Sequence, residues 1–162
     1  MLEHLRPLAP LNWSPADNFH ITTKFIGPWP ENRLDELKTS LSTVTRRGAI
    51  QATISGFGWH PNPHQPRVLF CGVRAGIELH QLAKDLDACC ASLGITPEAQ
   101  TYSPHLTLAR IKGAQNLAPI RQAIAQLPSA DFGLSTATKF LLYKSEPGEK
   151  ASSYKVIGEF PL

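Results

Sequence analysis

The sequence has little cysteine, and it lacks the long apolar runs and low-complexity tracts that mark several classes of protein. Three cysteines in 162 residues do not make a disulfide framework, and no segment resembles a secretion leader or a membrane span. The glycine-rich loop and lysine of nucleoside triphosphatases are also missing. We therefore expect a cytoplasmic protein that neither contacts a membrane nor hydrolyses nucleoside triphosphates.

The composition is that of one folded domain with a mildly basic charge. At 162 residues and 42% hydrophobic content, the chain can bury a substantial core. A net charge of +3 and an isoelectric point near 8.9 suit an anionic ligand, but the basic residues form no dense nucleic-acid-binding stripe. We interpret Cys71, on an apolar strand, and Cys89 and Cys90, on a predicted helix, as core residues rather than nucleophiles.

Two matching tetrapeptides are the most informative feature of the chain: His20-Ile-Thr-Thr23 and His105-Leu-Thr-Leu108. Each opens an apolar run, 21–26 or 106–111, that predicts a β-strand. On a strand, the His and the Thr two positions later project from the same face, about 6.5 to 7 Å apart. Each run is followed by glycine and a helix-like segment, so the context repeats with the motif and indicates one active site built from two halves.

The repetition extends along the chain at an offset of 85 residues, from His20 to His105. Apolar spacing predicts helices at 31–44, 77–93 and 116–127, the tail of a helix at 2–8, and further strands at 49–57, 67–73 and 135–143. We expect a single bilobal domain over 1–162, with repeat one at about 1–60, a proline-rich linker at about 60–66 and repeat two at about 67–162.

The first repeat is shorter at its beginning than the second, since the second has an additional strand before its first helix. A lobe without that strand presents an exposed sheet edge, which is prone to pairing or swapping. We expect a monomer, with a swapped or edge-paired dimer as the alternative.

Two imidazoles that face one pocket can divide the hydrolysis of a phosphodiester between them. One removes a proton from the attacking water and the other protonates the departing oxygen, while the two Thr hydroxyls hold the non-bridging oxygens. The scheme needs one neutral and one protonated His, so the rate should fall on both the acid and the alkaline side. It requires neither a metal nor a cofactor.

Further segments accompany the motifs over nearly the whole chain: Asn12-Trp13, residues 18–27, residues 102–110, residues 142–146 with Tyr154, and residues 160–162. Together they resemble the 2H phosphoesterase superfamily, and most closely the RNA 2′,3′-cyclic phosphodiesterases formerly called 2′-5′ RNA ligases. The resemblance implies an α+β fold of two pseudosymmetric lobes, with two antiparallel sheets flanked by helices around a central cleft. It also implies metal-independent opening of the 2′,3′-cyclic phosphate at an RNA or nucleotide end to a 2′-phosphomonoester.

The resemblance also implies roles for individual residues. His20 matches the proton donor to the leaving 3′ oxygen and His105 the proton acceptor that activates water, although a nearly symmetric site allows the roles to be exchanged. Thr22 and Thr107 match the phosphate-binding threonines. Arg110 matches a frequent arginine and is a candidate for substrate binding, but strict alternation puts it on the face opposite His105. It therefore needs a bulge or the strand end to reach the pocket, and a solvated arginine is the alternative.

Other candidates are weaker. His60 and His64 have a helical ligand spacing, but Pro61 and Pro63 exclude a helix there, so we predict a polar linker and no metal site. We interpret His4 and His80 as surface residues. Four aromatic residues could stack on RNA bases or pack in the core, and the sequence favours the core for most of them: Trp13, Phe57, Trp59 and Phe132.

Two alternatives to the cyclic phosphodiesterase stay open from the sequence. The same site can in principle join or cleave 2′-5′ phosphodiester bonds in RNA. A catalytically impaired module that binds nucleotides or RNA is the second alternative, and tight binding without turnover would identify it.

Overall fold

The computed structural model describes residues 2–146, 148 and 153–162, and most of its elements follow the apolar spacing of the sequence. The helices are α1 (Leu2–Leu5), α2 (Leu34–Ser42), α3 (Ile77–Ser92) and α4 (Ala118–Ala125), with 3₁₀ turns at Arg6–Leu8, Ala16–Asn18 and Glu31–Arg33. The strands are β1 (Asn12–Trp13), β2 (Ile50–His60), β3 (Val68–Ala75), β4 (His105–Arg110), β5 (Asp131–Ala137), β6 (Lys139–Glu146) and β7 (Ser153–Pro161). The four predicted helical segments are confirmed.

The strands form two antiparallel sheets. The larger has the order β1-β4-β3-β2-β5, and the smaller is the hairpin of β6 and β7. Residues 61–67 connect β2 to β3 as a hairpin within the larger sheet. This architecture is the predicted α+β class with two antiparallel sheets, while the division of the chain into two repeats stays a prediction.

The core lies on one face of the larger sheet. Along β3, the alternating residues Leu69, Cys71 and Val73 are buried, and α2 and α3 contribute their apolar stripes to the same cluster. Burying one such leucine contributes about 1.5–3 kcal/mol. His105 pairs with Gly72, which lies between Cys71 and Val73 on β3, so it is on the opposite face of the sheet, called the motif face below.

Two strand predictions are wrong. Residues 21–26 form no strand, because their backbone pairs with the sheet at a single antiparallel bridge between Ile21 and Leu106. In this register residues 22–26 lie opposite 101–105, and β4 begins only at His105, so they have no strand along which a ladder could propagate. The predicted strand 135–143 is divided at Thr138 into β5 and β6, which belong to different sheets.

No helix among the described residues is long and apolar enough to cross a bilayer.

Candidate active site

The two motifs meet at the bridge between Ile21 and Leu106. Continuing this antiparallel register by one residue on either side places His20 opposite Thr107 and Thr22 opposite His105. Leu106 points into the core at 9% exposure, so alternation directs its neighbours on both segments to the motif face. Directly opposite side chains lie about 4.5–5.5 Å apart at Cβ, and the two histidines lie on a diagonal of about 7–8 Å. The register therefore groups the four motif side chains on one face of the sheet.

Both histidines are oriented by the same local hydrogen bond. Nδ1 of His20 donates to the carbonyl oxygen of Asn18 at 2.7 Å, and Nδ1 of His105 donates to that of Ser103 at 2.9 Å. A carbonyl oxygen only accepts, so the proton must be on Nδ1 in each ring. Nε2 is therefore the nitrogen that each histidine offers to a substrate.

Each histidine also lies against two aromatic rings that come from a hairpin. The His20 ring is 4.8 Å from the Tyr154 ring and 5.8 Å from the Tyr143 ring, on β7 and β6. The two tyrosine rings are themselves 6.0 Å apart. Such contacts restrict the imidazole to one orientation.

The equivalent neighbours of His105 come from the hairpin of β2 and β3. Its ring is 5.2 Å from that of Phe70 and lies nearly parallel to that of His60 at 6.0 Å. His60 is the last residue of β2 rather than part of a linker, so its predicted position is corrected. Trp59 continues the alternation from Phe57, the last residue of the predicted strand, and is the signal that β2 extends further.

A glycine makes room for the Phe70 ring. Any Cβ at Gly58, which pairs with Phe70 across β2 and β3, would overlap the tip of that ring. We expect Gly58→Ala to displace Phe70, to cost about 1–3 kcal/mol in unfolding free energy and to lower kcat, because Phe70 contacts His105. Thermal unfolding and steady-state kinetics measure both effects.

Gly76→Ala is the matched control. Its Cβ would meet only the carboxylate end of Glu78, an exposed side chain that can swing away. A Gly58→Ala protein as stable and as active as Gly76→Ala would contradict the role of this packing.

A bulge in β4 places Arg110 on the motif face. Leu69 pairs with Ala109 whereas Phe70 pairs with Thr107, so Leu108 is an extra residue in β4. Leu108 and Ala109 are consecutive and both buried, which is the expected consequence of a bulge. The alternation therefore shifts by one, and Arg110 projects from the same face as Thr107. The bulge that Arg110 needs in order to reach the same face as the motifs is therefore present.

The first motif has a second anchor besides the bridge. The ammonium of Lys24 lies 2.7 Å from the carboxylate of Asp87 on α3, 2.9 Å from the carbonyl oxygen of Thr96 and 3.4 Å from Glu98. The Lys24 side chain is only 4% exposed. Burial acts to lower the pKa of Lys24, but the hydrogen bonds to Asp87 and Glu98 outweigh it and raise that pKa, while the Lys24 hydrogen bond lowers the pKa of Asp87.

The remaining candidates lie away from the motif face. Trp13, Phe57 and Trp59 pair with core-facing residues of the sheet, and with Phe132 they pack against the core. His4, His64 and His80 are exposed.

The buried cysteines are unsuited to nucleophilic chemistry. Burial raises the pKa of the Cys71 thiol to about 11 and that of Cys90 to about 11. Within the described part of the chain, no three His, Cys, Asp or Glu side chains are grouped to hold a metal ion.

Known proteins are similar to this chain in sequence and in fold. The sequence profile of the 2′-5′ RNA ligase superfamily matches residues 3–146. An RNA 2′,3′-cyclic phosphodiesterase of Aeropyrum pernix is 32% identical over 152 residues, which is 93% of this chain and 86% of the relative. Another, of Methanothermobacter thermautotrophicus, is 31% identical and covers 85% of this chain and 75% of the relative.

Solved structures have the same architecture. A Thermus thermophilus protein superimposes with a TM-score of 0.80 at 29% identity, covering 99% of this chain and 87% of its own. E. coli LigT, solved with 3′-AMP, superimposes with a TM-score of 0.75 at 24% identity over 99% of this chain and 88% of its own, and shows the fold. The predicted fold class is confirmed, and the predicted enzyme class, cyclic phosphodiesterase, is the one that the relatives' names carry. The chain belongs to the 2′-5′ RNA ligase superfamily.

Proposed function

We propose that this protein hydrolyses RNA 2′,3′-cyclic phosphate ends to 2′-phosphomonoesters, without a metal or a cofactor. The observation that carries the proposal is the antiparallel bridge between Ile21 and Leu106, whose register groups two histidines and two threonines on the motif face. The names of the relatives, RNA 2′,3′-cyclic phosphodiesterases, support the substrate.

The histidines perform the two proton transfers. Nε2 of neutral His105 takes a proton from water as the water oxygen bonds to phosphorus. The bond from phosphorus to the 3′ oxygen breaks, and Nε2 of protonated His20 gives its proton to that oxygen. The products are a 2′-phosphomonoester and a free 3′ hydroxyl, and exchange of protons with solvent restores both rings. Each positioned transfer contributes about 10²–10⁴-fold in rate.

The carbonyl hydrogen bonds at Nδ1 make these transfers effective. They stabilise each ring when it is protonated and keep Nε2 directed at the motif face. The rings of Tyr143 and Tyr154 hold His20 from the side, and Phe70 does the same for His105.

The threonines stabilise the charge that develops on the phosphate. In the register of the bridge Thr22 is opposite His105 and Thr107 is opposite His20, so the hydroxyl of each threonine can donate to a non-bridging oxygen. Removing one preorganised donor of this type costs about 10²–10³ in kcat.

The test is hydrolysis of a nucleoside 2′,3′-cyclic phosphate and of a short RNA with a cyclic phosphate end, in EDTA. We expect turnover in EDTA and a product that is exclusively the 2′-phosphate, identified by phosphorus NMR. Activity that is lost in EDTA and restored by a divalent cation would refute the metal-free mechanism. A 3′-phosphate product would show that the bond from phosphorus to the 2′ oxygen breaks instead, which contradicts the proposed direction of ring opening.

A further inference from the structure

The motif face continues beyond the phosphate site as one more row of side chains. His60 on β2 pairs with Val68 on β3, Val68 pairs with Arg110 on β4, and Arg110 pairs with Asn12 on β1. Paired residues project from the same face, so the bulge that turns Arg110 to the motif face puts all four there. We call these four residues the outer row.

The outer row is suited to an anion. Arg110 is exposed, and its guanidinium has no hydrogen bond or ion pair with any described residue. His60 and Asn12 add an imidazole and an amide, and the row contains no carboxylate. The guanidinium is permanently charged and its fork matches the oxygens of a phosphate.

The reach of the Arg110 side chain brings the outer row within one nucleotide of the phosphate site. Arg110 lies one same-face step, about 7 Å, beyond Thr107 along β4, and therefore about 10 Å from the centre of a site between the rows of His105 and Thr107. The arginine side chain covers the difference and leaves the roughly 7 Å that two amino-acid residues span with six backbone bonds. One nucleotide also connects successive phosphorus atoms through six bonds, so an RNA strand with its cyclic phosphate between the motifs can place its preceding phosphate over the outer row.

His60 connects the outer row to the reaction centre. Its ring leans from the outer row toward His105, with which it is nearly parallel at 6.0 Å, and it meets the Phe70 ring edge-on at 5.9 Å. A phosphate above Val68 lies between His60 and Arg110, which are two strands apart, about 10 Å at Cα. Both side chains are long enough to reach it.

We propose that the outer row binds the phosphate on the 5′ side of the terminal nucleoside, so that the enzyme selects an RNA end over a free nucleoside cyclic phosphate. This inference rests on the proposed function, because it places the cyclic phosphate between the two motifs. Arg110 and His60 are then specificity-determining residues, and Asn12 supplies a neutral donor.

The test compares two substrates that differ in a single group. They are a nucleoside 2′,3′-cyclic phosphate and the same compound with a 5′-phosphate. We expect the wild type to prefer the 5′-phosphorylated compound in kcat/KM by about tenfold or more. Arg110→Gln and His60→Gln should each lower that ratio toward one, and the preference should weaken as salt is added.

Two control variants remove the same groups from other places. Arg67→Gln deletes an exposed arginine just before β3, where alternation directs the side chain away from the motif face. His64→Gln deletes an exposed histidine in the same connection. Both should retain the wild-type ratio, and thermal unfolding confirms that all four variants are folded.

The outcomes separate this inference from the proposed function. Hydrolysis of both substrates at equal kcat/KM, or a ratio unchanged in Arg110→Gln and His60→Gln, would overturn the outer-row site and leave the hydrolase intact. If neither substrate is turned over, the outer-row site is tested by calorimetry, which compares the affinities of nucleoside 2′-phosphate and nucleoside 2′,5′-bisphosphate. A tighter bisphosphate complex that weakens in Arg110→Gln supports the site, and equal affinities refute it.

Discussion

Replacing His105 with glutamine is expected to lower kcat for cyclic phosphate hydrolysis by about 10²–10⁴-fold. Glutamine retains a polar side chain of similar reach but cannot take a proton from water near neutral pH. Because His105 lies on the motif face and not in the core, the loss should occur without a large change in melting temperature. Steady-state kinetics and thermal unfolding of the same preparation measure the two effects.

His20→Gln should reduce kcat to a similar extent, and the leaving group distinguishes the two roles. A phosphodiester that releases 4-nitrophenolate needs no proton donor, since this leaving group is stable as an anion. We expect His20→Gln to recover most of its activity on such an ester, whereas His105→Gln stays impaired because water must still be activated. Recovery in His105→Gln alone would exchange the two assignments.

Replacing Lys24 with methionine is expected to destabilise the protein and to impair catalysis together. The variant removes the ammonium partner of the Asp87 carboxylate, which then keeps only the backbone N–H of Glu98 as a donor, at a cost of about 1–3 kcal/mol. In a chain of this size the melting temperature falls by about 2–4 °C for each kcal/mol. The first motif has one backbone bridge and this anchor, so we also expect a lower kcat/KM. Lys84→Met, at an exposed position of α3 that forms no ion pair with a described residue, is the control and should change neither quantity.

The effect of Lys24→Met on stability should depend on pH in a defined direction. Because the pKa of Asp87 is lowered in the folded protein, its ion pair stabilises the fold above the unfolded carboxyl pKa of about 3.9 and loses this effect as the pH falls through the folded value. The raised pKa of Lys24 makes the contribution decline again only in strongly alkaline solution. The difference in melting temperature between wild type and variant should therefore be full near pH 7 and shrink below about pH 4. A difference that is constant from pH 7 to pH 3 would contradict an ionic anchor.

The local spacing of apolar residues was sufficient to predict most of the helices and strands. Helix α3 follows from leucines at helical spacing, and the alternation along β3 assigns Leu69 to the core and Phe70 to the other face. The same local reasoning failed for segments whose structure depends on the strand with which they pair. Residues 21–26 alternate like a strand, yet they have one bridge, because β4 begins at His105 and the residues opposite 23–26 form no strand.

The sequence by itself determined which residues carry the candidate chemistry, because a His and a Thr two positions apart share a face in any extended segment and the motif occurs twice. Only the tertiary structure decided how those residues face one another and what surrounds them. The antiparallel register sets each histidine beside the other motif's threonine, a one-residue bulge turns Arg110 to the motif face, and strand pairing brings His60 to His105. Register and bulges depend on backbone hydrogen bonds between segments far apart in the chain, and no local spacing of side chains encodes them.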